Sequence, residues 1–318
     1  MYHRIATPLS DPWQLAVSRE NFSQQLEVLQ KLGTVVPVKD LVVSLKENKI
    51  SRNTISITFD DGYRDNYFLA KPLLEKHNCA ASFFITTHSI NREQQFWWDE
   101  LETILLHHKE LPASFSMLLN GENISKSLAN HGVLTPDEQL VHKTWVWPGQ
   151  PPSPRCELYL LIWERLRPLP YEKIETVLDQ IRHWAGVDKV GNADSFPMNL
   201  SQINLIANHP LFDIGIHTLT HPALASHSYP IQLKEISDCK YFLENEFGQT
   251  NNIIAYPYGD YNETTLQVVQ ELKLAAAFTT RQKHIDNRED IHQLGRFQVS
   301  NWNGEVFEEK LHQWFRTY

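Results

Sequence analysis

The sequence has little cysteine, no long apolar run and no basic stripe, and each absence argues against a class of protein. Its 318 residues include three cysteines, Cys79, Cys156 and Cys239, which are far apart and lack Cys-x-x-Cys spacing. This pattern predicts reduced, buried thiols rather than a disulfide framework. No apolar run approaches the roughly 20 residues that span a bilayer. The formal net charge of −9 argues against nucleic acid as the main partner, because no basic stretch is present to neutralise phosphates.

The N-terminal residues lack a signal-peptide pattern. Met1 to Ile5 contain no basic segment followed by an apolar core. A strand pattern is already in progress at Tyr2, and a strand this short is normally preceded by further apolar residues. We therefore expect the natural start of the protein to lie upstream of Met1.

Strand and helix patterns alternate over the first ninety residues and again after residue 200. The apolar, β-branched runs that predict strands are 2–5, 34–38, 54–59, 80–86, 212–216, 252–256, 274–280 and 297–300. The amphipathic patterns that predict helices between them are 20–32, 38–49, 65–77, 201–208, 231–247, 263–272 and 305–316. Strands that alternate with helices at this spacing are typical of parallel βα units.

The middle of the chain breaks this alternation. Between 96 and 200 the sequence shows no clear strand pattern, and amphipathic helices are predicted at 157–166 and 171–184. We therefore expect a single α/β domain over 1–318, a barrel of seven or eight strands with a mainly helical insertion at about 96–200.

Two adjacent carboxylates stand where an apolar strand ends. The run Thr54–Phe59 leads directly into Asp60, Asp61 and Gly62. Because strand side chains alternate between faces, neighbouring aspartates share a pocket only if the chain turns, and glycine permits that turn. Burying two like charges is unfavourable unless a cation or a shared proton relieves it. We interpret the pair as one metal ligand and one acid/base group.

Two histidines supply candidate partners for this pair. His217 and His221 follow the predicted strand 212–216, and their spacing can place both imidazoles on one face of a helical turn. Two imidazoles and one carboxylate make a three-ligand divalent-metal site with positions open for water and substrate. Chance explains the histidine pair equally well by itself, because the chain holds fifteen histidines. Together with the aspartates, the metal site is the favoured interpretation.

A third apolar strand leads into Pro257, Tyr258 and Gly259. The backbone N–H groups of such a loop can face a substrate oxyanion. Taken alone, the stretch is more simply explained as a tight turn.

These motifs, in this order, resemble the polysaccharide deacetylases, the carbohydrate esterases of NodB homology. The resemblance is carried by Thr58–Gly62, His217–His221 and Tyr256–Gly259, and it extends over roughly 1–89 and 200–300. It implies a distorted (β/α)7 barrel and the metal-dependent removal of N- or O-acetyl groups from sugars.

The resemblance also implies a role for each motif residue. Asp61, His217 and His221 would hold a divalent metal, Zn²⁺ in the first place, with Co²⁺, Ni²⁺ or Fe²⁺ as alternatives. Asp60 would be the general base that takes a proton from the attacking water. The backbone N–H of Tyr258 would help to stabilise the oxyanion.

Two departures from the family pattern concern the base and the acid. Many members carry an arginine two residues before the proline, where this chain has Ala255. Arg296 is a candidate replacement for that arginine. A surface salt bridge is an equally good interpretation of Arg296. Many members also have a late Leu-x-His segment whose histidine is the general acid. Here Tyr2-His3 resembles the N-terminal motif of circularly permuted members, so we expect His3 to protonate the leaving amine. A hydrogen-bonding role in the core is the alternative for His3.

Adjacent tryptophans resemble a feature of one subgroup of the family. Trp97 and Trp98 follow Phe96, and aromatic faces pack well on the apolar side of a pyranose. We therefore treat both as candidate substrate-binding residues. Anchoring of the insertion to the barrel is the alternative, and it is favoured for at least one of them.

The resulting hypothesis is a metal-dependent hydrolase that removes N-acetyl groups from an amino sugar in a glycan, a glycolipid or a saccharide intermediate. A carbohydrate O-acetyl esterase and a non-catalytic glycan-binding protein are the alternatives. Because no export signal is visible, we expect a cytoplasmic location, with the inner membrane face as a second site, and a lipid-linked or soluble amino-sugar intermediate as substrate. The sequence indicates no nucleic-acid partner and no particular oligomeric state.

Overall fold

The computed structural model of the chain describes residues 1–119, 121–189, 191–286 and 288–316. The strands among these residues are short. They are β1 (Arg4–Ile5), β2 (Ala16–Val17), β3 (Thr34–Val35), β4 (Thr54–Ile55), β5 (Ile57–Phe59), β6 (Ala81–Ile85), β7 (Ser114–Leu119), β8 (Glu122–Ser127), β9 (Phe212–Ile216), β10 (Ile253–Ala255) and β11 (Ala276–Phe278).

Helices connect most of the strands. They are α1 (Arg19–Leu32), α2 (Val38–Lys46), α3 (Lys71–Lys76), α4 (Trp97–Glu102), α5 (Pro136–Thr144), α6 (Pro154–Leu166), α7 (Tyr171–Ala185), α8 (Leu200–Ala207), α9 (Tyr229–Phe247), α10 (Glu263–Glu271) and α11 (Gly304–Arg316). Most predicted helices lie within a few residues of these bounds.

The chain forms two compact units. The first consists of Met1–Thr7, Leu15–Arg92 and Pro197–Tyr318. The second consists of Pro8–Gln14 and Glu93–Phe196. The second unit therefore covers most of the predicted insertion at about 96–200. That the whole chain is one catalytic domain stays a prediction.

A curled parallel sheet forms the centre of the first unit. Its strands hydrogen-bond in the order β11-β10-β9-β6-β5. Parallel bridges extend the two edges, with Tyr2 beside Phe59 and Leu294 beside Phe278. The strand at each edge thus gains one more neighbouring segment, which gives seven segments side by side.

Backbone hydrogen bonds join the two outer segments of this sheet. The Met1 nitrogen donates to the Phe297 carbonyl at 2.8 Å, and the Val299 N–H donates to the Met1 carbonyl at 3.0 Å. Strands of a sheet that closes in this way carry alternate side chains inward and outward. The distorted (β/α)7 barrel that the resemblance implies is confirmed.

Apolar helix faces cover the barrel. In α1, buried Phe22, Leu26 and Leu29 recur at helical spacing and pack in the same core as Phe59 of β5. The helix begins where the Ser18 hydroxyl accepts a hydrogen bond from the Asn21 N–H, a typical N-cap that satisfies an otherwise unpaired amide. Local capping and periodicity thus explain why this helix was predictable.

Two strand predictions are wrong. In the second unit, β7 and β8 form an antiparallel hairpin where the sequence shows no clear strand, because β8 has only Ile124 as a buried apolar residue. Conversely, 297–300 forms no strand of its own. It joins the barrel through the hydrogen bonds of Phe297 and Val299 with Met1, which is too little pairing for a regular ladder.

A buried polar network lies inside the second unit. The Arg155 side chain is fully buried, and its guanidinium donates to the carbonyls of His131 and Gly132 among others. His142 is equally buried, with Nδ1 3.0 Å from the Leu106 carbonyl and Nε2 2.8 Å from Ser153 Oγ. Because a carbonyl only accepts, Nδ1 carries the proton.

Two expectations drawn from scarce features can be compared with the structure. Cys79, Cys156 and Cys239 are all buried and form no disulfide, which confirms that they are buried free thiols. Among the described residues, none of the helices combines the length and the hydropathy that a bilayer crossing requires.

Candidate metal centre

Three potential metal ligands meet beyond the carboxyl ends of β5 and β9. Asp61 Oδ1 lies 3.2 Å from His217 Nε2 and 3.3 Å from His221 Nε2, and the three atoms lie within 4.8 Å of one another. Ligands bound to Zn²⁺ tetrahedrally at roughly 2.0–2.1 Å are themselves about 3.3 Å apart. The donor set and its spacing therefore fit a divalent ion.

A second hydrogen bond orients His217. Its Nδ1 lies 2.8 Å from the carbonyl oxygen of Ala255, so Nδ1 is the donor and Nε2 faces Asp61. A carbonyl that fixes the second nitrogen of a histidine in this way is typical of metal-binding histidines. Ala255 thus takes part in the site through its backbone, although its side chain cannot replace the family's arginine.

The charges of the cluster depend on one another. Burial by itself raises the pKa of Asp61, but hydrogen bonds from His217 and His221 hold it well below its usual range. Burial lowers the pKa of His217, yet the hydrogen bond to Asp61 and the charges of Asp60 and Asp61 together outweigh that effect and raise it. For His221, burial lowers the pKa by more than the hydrogen bond and charge of Asp61 raise it, so the pKa stays below the usual value. The buried aspartate is therefore ionised and able to bind a cation.

The backbone at both ligand motifs turns through the left-handed region. After β5, Asp61 has φ 72° and Gly62 has φ 86°, which confirms the turn predicted at Gly62. After β9, Thr218 has φ 64° and His221 has φ 62°. The prediction that the two histidines share a helical turn is therefore wrong, because a right-handed turn has negative φ throughout.

The carboxylate of Asp60 is bound by a buried arginine, Arg296. Arg296 Nη1 and Nη2 lie 2.7 Å from Asp60 Oδ1 and Oδ2 respectively, and Arg296 also donates to Thr58 Oγ1 and to the Thr279 carbonyl. Burial raises the pKa of Asp60, but Arg296, together with the charges of His217 and His3, lowers it, and the net pKa is reduced. Arg296 is 6% exposed, so the alternative of a surface salt bridge is wrong.

His3 lies beside Asp60 at the closure of the barrel. The Asp60 N–H donates to the Tyr2 carbonyl at 3.0 Å. His3 Nδ1 is buried and has no hydrogen-bond partner among the described residues. Burial lowers the pKa of His3, and the carboxylates of Asp61 and Asp60 act in the opposite direction. The imidazole is therefore close enough to both aspartates for their charges to act on it.

A buried hydrogen-bond network that was not predicted from the sequence holds the segment that carries His3. Arg4 Nε donates to Asp65 Oδ2 at 3.0 Å, and Asp65 Oδ1 accepts from the Ile5 N–H at 3.1 Å. The neighbouring Asn66 side chain donates to the His3 carbonyl at 2.8 Å. The signal was available in the sequence, because Asp65 and Asn66 lie only three and four residues after Gly62, the last residue of the aspartate motif.

Tyr258 lies next to His221. Its backbone has φ 58° and is followed by Gly259 at φ 64°, and its ring centroid is 4.5 Å from that of His221. A Cβ at Gly259 would lie 2.8 Å from the Thr280 amide nitrogen, so a side chain there would clash with backbone. The structure thus brings this loop to the metal cluster, and its role towards an oxyanion stays a prediction.

The two predicted substrate-binding tryptophans are buried in the second unit. Trp97 and Trp98 are 4% and 7% exposed. The Trp98 ring stacks on the Phe96 ring with their centroids 4.7 Å apart, and the ring centroids of Trp97 and Trp163 are 6.2 Å apart. In the described structure these rings pack against other aromatic side chains, and sugar stacking on them stays a prediction.

Comparison with known proteins agrees with this geometry. A sequence profile described as polysaccharide deacetylase matches residues 47–112 and 182–277, half of the chain. The matched segments contain both aspartates, both metal-cluster histidines and Tyr258. His3 and Arg296 lie outside them.

Individual relatives are similar over different lengths. YxkH of Bacillus subtilis, whose name assigns it to the polysaccharide deacetylases, is 22% identical over 96% of this chain and 73% of its own length. A poly-β-1,6-N-acetyl-D-glucosamine N-deacetylase of Staphylococcus epidermidis is 23% identical over 39% of this chain and 46% of its own length. The deacetylase PplD of Streptococcus pyogenes, solved with acetate, superposes with a TM-score of 0.60 at 19% identity, covering 99% of this chain and 96% of PplD. The chain belongs to the polysaccharide deacetylase family.

Proposed function

We propose that the protein is a metal-dependent hydrolase that removes N-acetyl groups from an amino sugar in a glycan or glycolipid. One arrangement supports this proposal above all others. The Asp61–His217–His221 cluster lies at the same end of the barrel as the Asp60–Arg296 pair and His3. A metal site, a carboxylate base and an imidazole acid are together what amide hydrolysis requires.

A divalent metal held by Asp61, His217 and His221 would acidify a water and polarise the acetyl carbonyl. Asp60 would accept the proton of the attacking water, with Arg296 fixing the orientation of its carboxylate. His3 would deliver a proton to the departing amine nitrogen, which leaves poorly unless protonated. The backbone N–H of Tyr258 would donate to the oxyanion.

The substrate class rests on the family and on one relative. The Staphylococcus epidermidis relative is named for poly-β-1,6-N-acetyl-D-glucosamine, so an N-acetylglucosamine oligomer is the first substrate to test. A lipid-linked or soluble amino-sugar intermediate is the second. Zn²⁺ is the first metal to test, followed by Co²⁺, Ni²⁺ and Fe²⁺.

Acetate release tests the proposal directly. Purified protein is stripped with a chelator, reloaded with each ion, and assayed on β-1,6-linked N-acetylglucosamine oligomers and on an O-acetylated sugar. We expect metal-restored acetate release from the N-acetyl substrate, and its loss in Asp60→Asn but not in Asp238→Asn, an aspartate on α9 far from the motif in sequence.

Three results would contradict the proposal. Release from the O-acetyl substrate alone would identify an esterase. Oligosaccharide binding without release would identify a glycan-binding protein. Full activity of Asp60→Asn would remove the base from the mechanism.

A further inference from the structure

We propose that Glu235 on α9 is a positioning residue for the metal centre. Its carboxylate binds Thr220 and thereby keeps the loop from His217 to His221 in the shape that presents both imidazoles to Asp61. The inference rests on the proposed metal site and extends it to a residue 14 positions beyond His221 that does not touch the metal cluster.

The loop needs support because its backbone is unusual. Both Thr218 and His221 have positive φ, a conformation that residues with a Cβ adopt only at a cost in energy. Neither residue is glycine, so the loop keeps this conformation only where its surroundings impose it. His221 is at one of these positions, and relaxation of the loop would move its imidazole.

One side of the loop is held by the segment after β6. The Thr86 hydroxyl donates to the His217 carbonyl at 3.2 Å. The backbone N–H groups of Thr87 and His88 donate to the carbonyls of Thr218 and Leu219 at 3.3 and 2.8 Å. Three successive loop carbonyls are thus satisfied by neighbouring chain, and their partners are largely backbone groups.

Glu235 holds the other side of the loop. Its Oε2 accepts from the Thr220 N–H at 2.8 Å, and its Oε1 accepts from the Thr220 hydroxyl at 2.6 Å. Its backbone carbonyl also accepts from the Leu219 N–H at 3.0 Å. The His221 N–H donates to Thr218 Oγ1 at 3.0 Å. One glutamate therefore satisfies two consecutive loop amides and a hydroxyl.

The position of Glu235 makes this contact specific. The residue is 9% exposed, and buried carboxylates require hydrogen-bond partners. Both oxygens are directed at a single loop residue, so the contact restrains both the backbone and the side chain of Thr220. Because α9 packs against β9 in the barrel core, the restraint comes from a rigid helix.

The test compares metal affinity among four variants by competition with a chromogenic chelator, using Zn²⁺ and Co²⁺. Glu235→Ala removes both side-chain contacts, and Thr220→Val removes the hydroxyl contact alone. Glu235→Gln keeps both, because its carbonyl accepts from the amide and its NH₂ donates to the hydroxyl. Glu246→Ala is the matched control, an exposed glutamate on the same helix.

We expect Glu235→Ala to weaken metal binding about 10- to 100-fold, the range seen when groups that orient metal ligands are removed. Thr220→Val should weaken it less, and Glu235→Gln and Glu246→Ala should bind like the wild type. Thermal unfolding of each metal-free variant shows which of them fold, and Thr220→Val keeps the test decisive if Glu235→Ala does not.

Three results would overturn the inference in distinguishable ways. Wild-type affinity in Thr220→Val and in folded Glu235→Ala would refute the positioning role and leave the metal centre intact. A wild-type protein that binds neither ion would refute the metal centre itself, and the positioning role with it. Loss of affinity in Glu235→Gln equal to that in Glu235→Ala would show that the charge matters rather than the hydrogen-bond geometry.

Discussion

The Arg296 guanidinium and the Asp60 carboxylate form a two-pronged ion pair across 236 positions of sequence, with both N–O distances at 2.7 Å. A planar fork that meets both oxygens of a carboxylate fixes its rotation as well as its charge. Arg296 therefore fixes the Asp60 carboxylate from the opposite end of the chain. That it replaces the arginine which many members of the family carry at the Ala255 position stays a prediction.

Replacing Arg296 by lysine should lower kcat about a hundredfold while changing KM little. Lysine keeps the charge but binds as a single point, so the carboxylate loses its fixed orientation, and small misplacements of a reacting group cost about this much. Steady-state kinetics on the N-acetyl substrate measures the split. Arg281→Lys, an exposed arginine whose carbonyl accepts from the Arg296 N–H, is the control. An unchanged kcat in Arg296→Lys would show that orientation of Asp60 is unimportant.

Replacing His3 by alanine should affect amide substrates more than esters. A general acid contributes about 10²- to 10⁴-fold when the leaving group needs a proton. An amine needs that proton and an alcohol needs it less, so acetate release from an N-acetyl sugar should fall by this range and release from an O-acetyl sugar by much less. His312→Ala, on α11, is the control. Equal losses on both substrates would assign His3 a structural role.

Replacing Trp98 by alanine should destabilise the protein by about 3–5 kcal/mol, the usual cost of removing a buried aromatic side chain. Replacing Trp147, which lies in the same unit and is 42% exposed, should destabilise the protein by no more than about 0.5 kcal/mol. Denaturant unfolding measures both. If Trp98→Ala left stability unchanged and raised KM, the substrate-binding prediction would stand and the packing interpretation would fail.

Acidification should destabilise the protein partly through His142. Burial lowers the pKa of this histidine below its ordinary value of 6.5, so the unfolded chain binds the proton more readily than the folded one. The contribution of neutral His142 to the free energy of unfolding is therefore complete above about pH 6.5. It is lost as the pH falls below that value, by at most about 1.4 kcal/mol per pH unit. Unfolding free energies of the wild type and His142→Gln, measured between pH 7 and pH 5, should converge at low pH. Parallel curves of unfolding free energy against pH for the two proteins would contradict this prediction. The His312→Gln variant is the control for the loss of a surface histidine.

Much of the fold followed from short-range patterns. The periodicity and capping of α1 and the apolar runs of β6 and β9 are set by neighbouring residues, so each could be predicted. The hairpin β7–β8 could not, because a polar strand such as β8 is stabilised by its partner and not by its own composition. The segment 297–300 was misassigned for the opposite reason, since apolar residues alone do not supply a ladder partner.

The candidate site divides in the same way. Asp61, His217 and His221 could be identified as candidate metal ligands before the fold was known, because their chemical type and their places after strands are properties of the sequence. The groups that hold them and their neighbours follow only from the folded chain: Arg296 on Asp60, the Ala255 carbonyl on His217, and Glu235 on the histidine loop. The physical reason is that ligand chemistry belongs to single residues. Orientation depends on contacts between segments that meet only when the barrel closes.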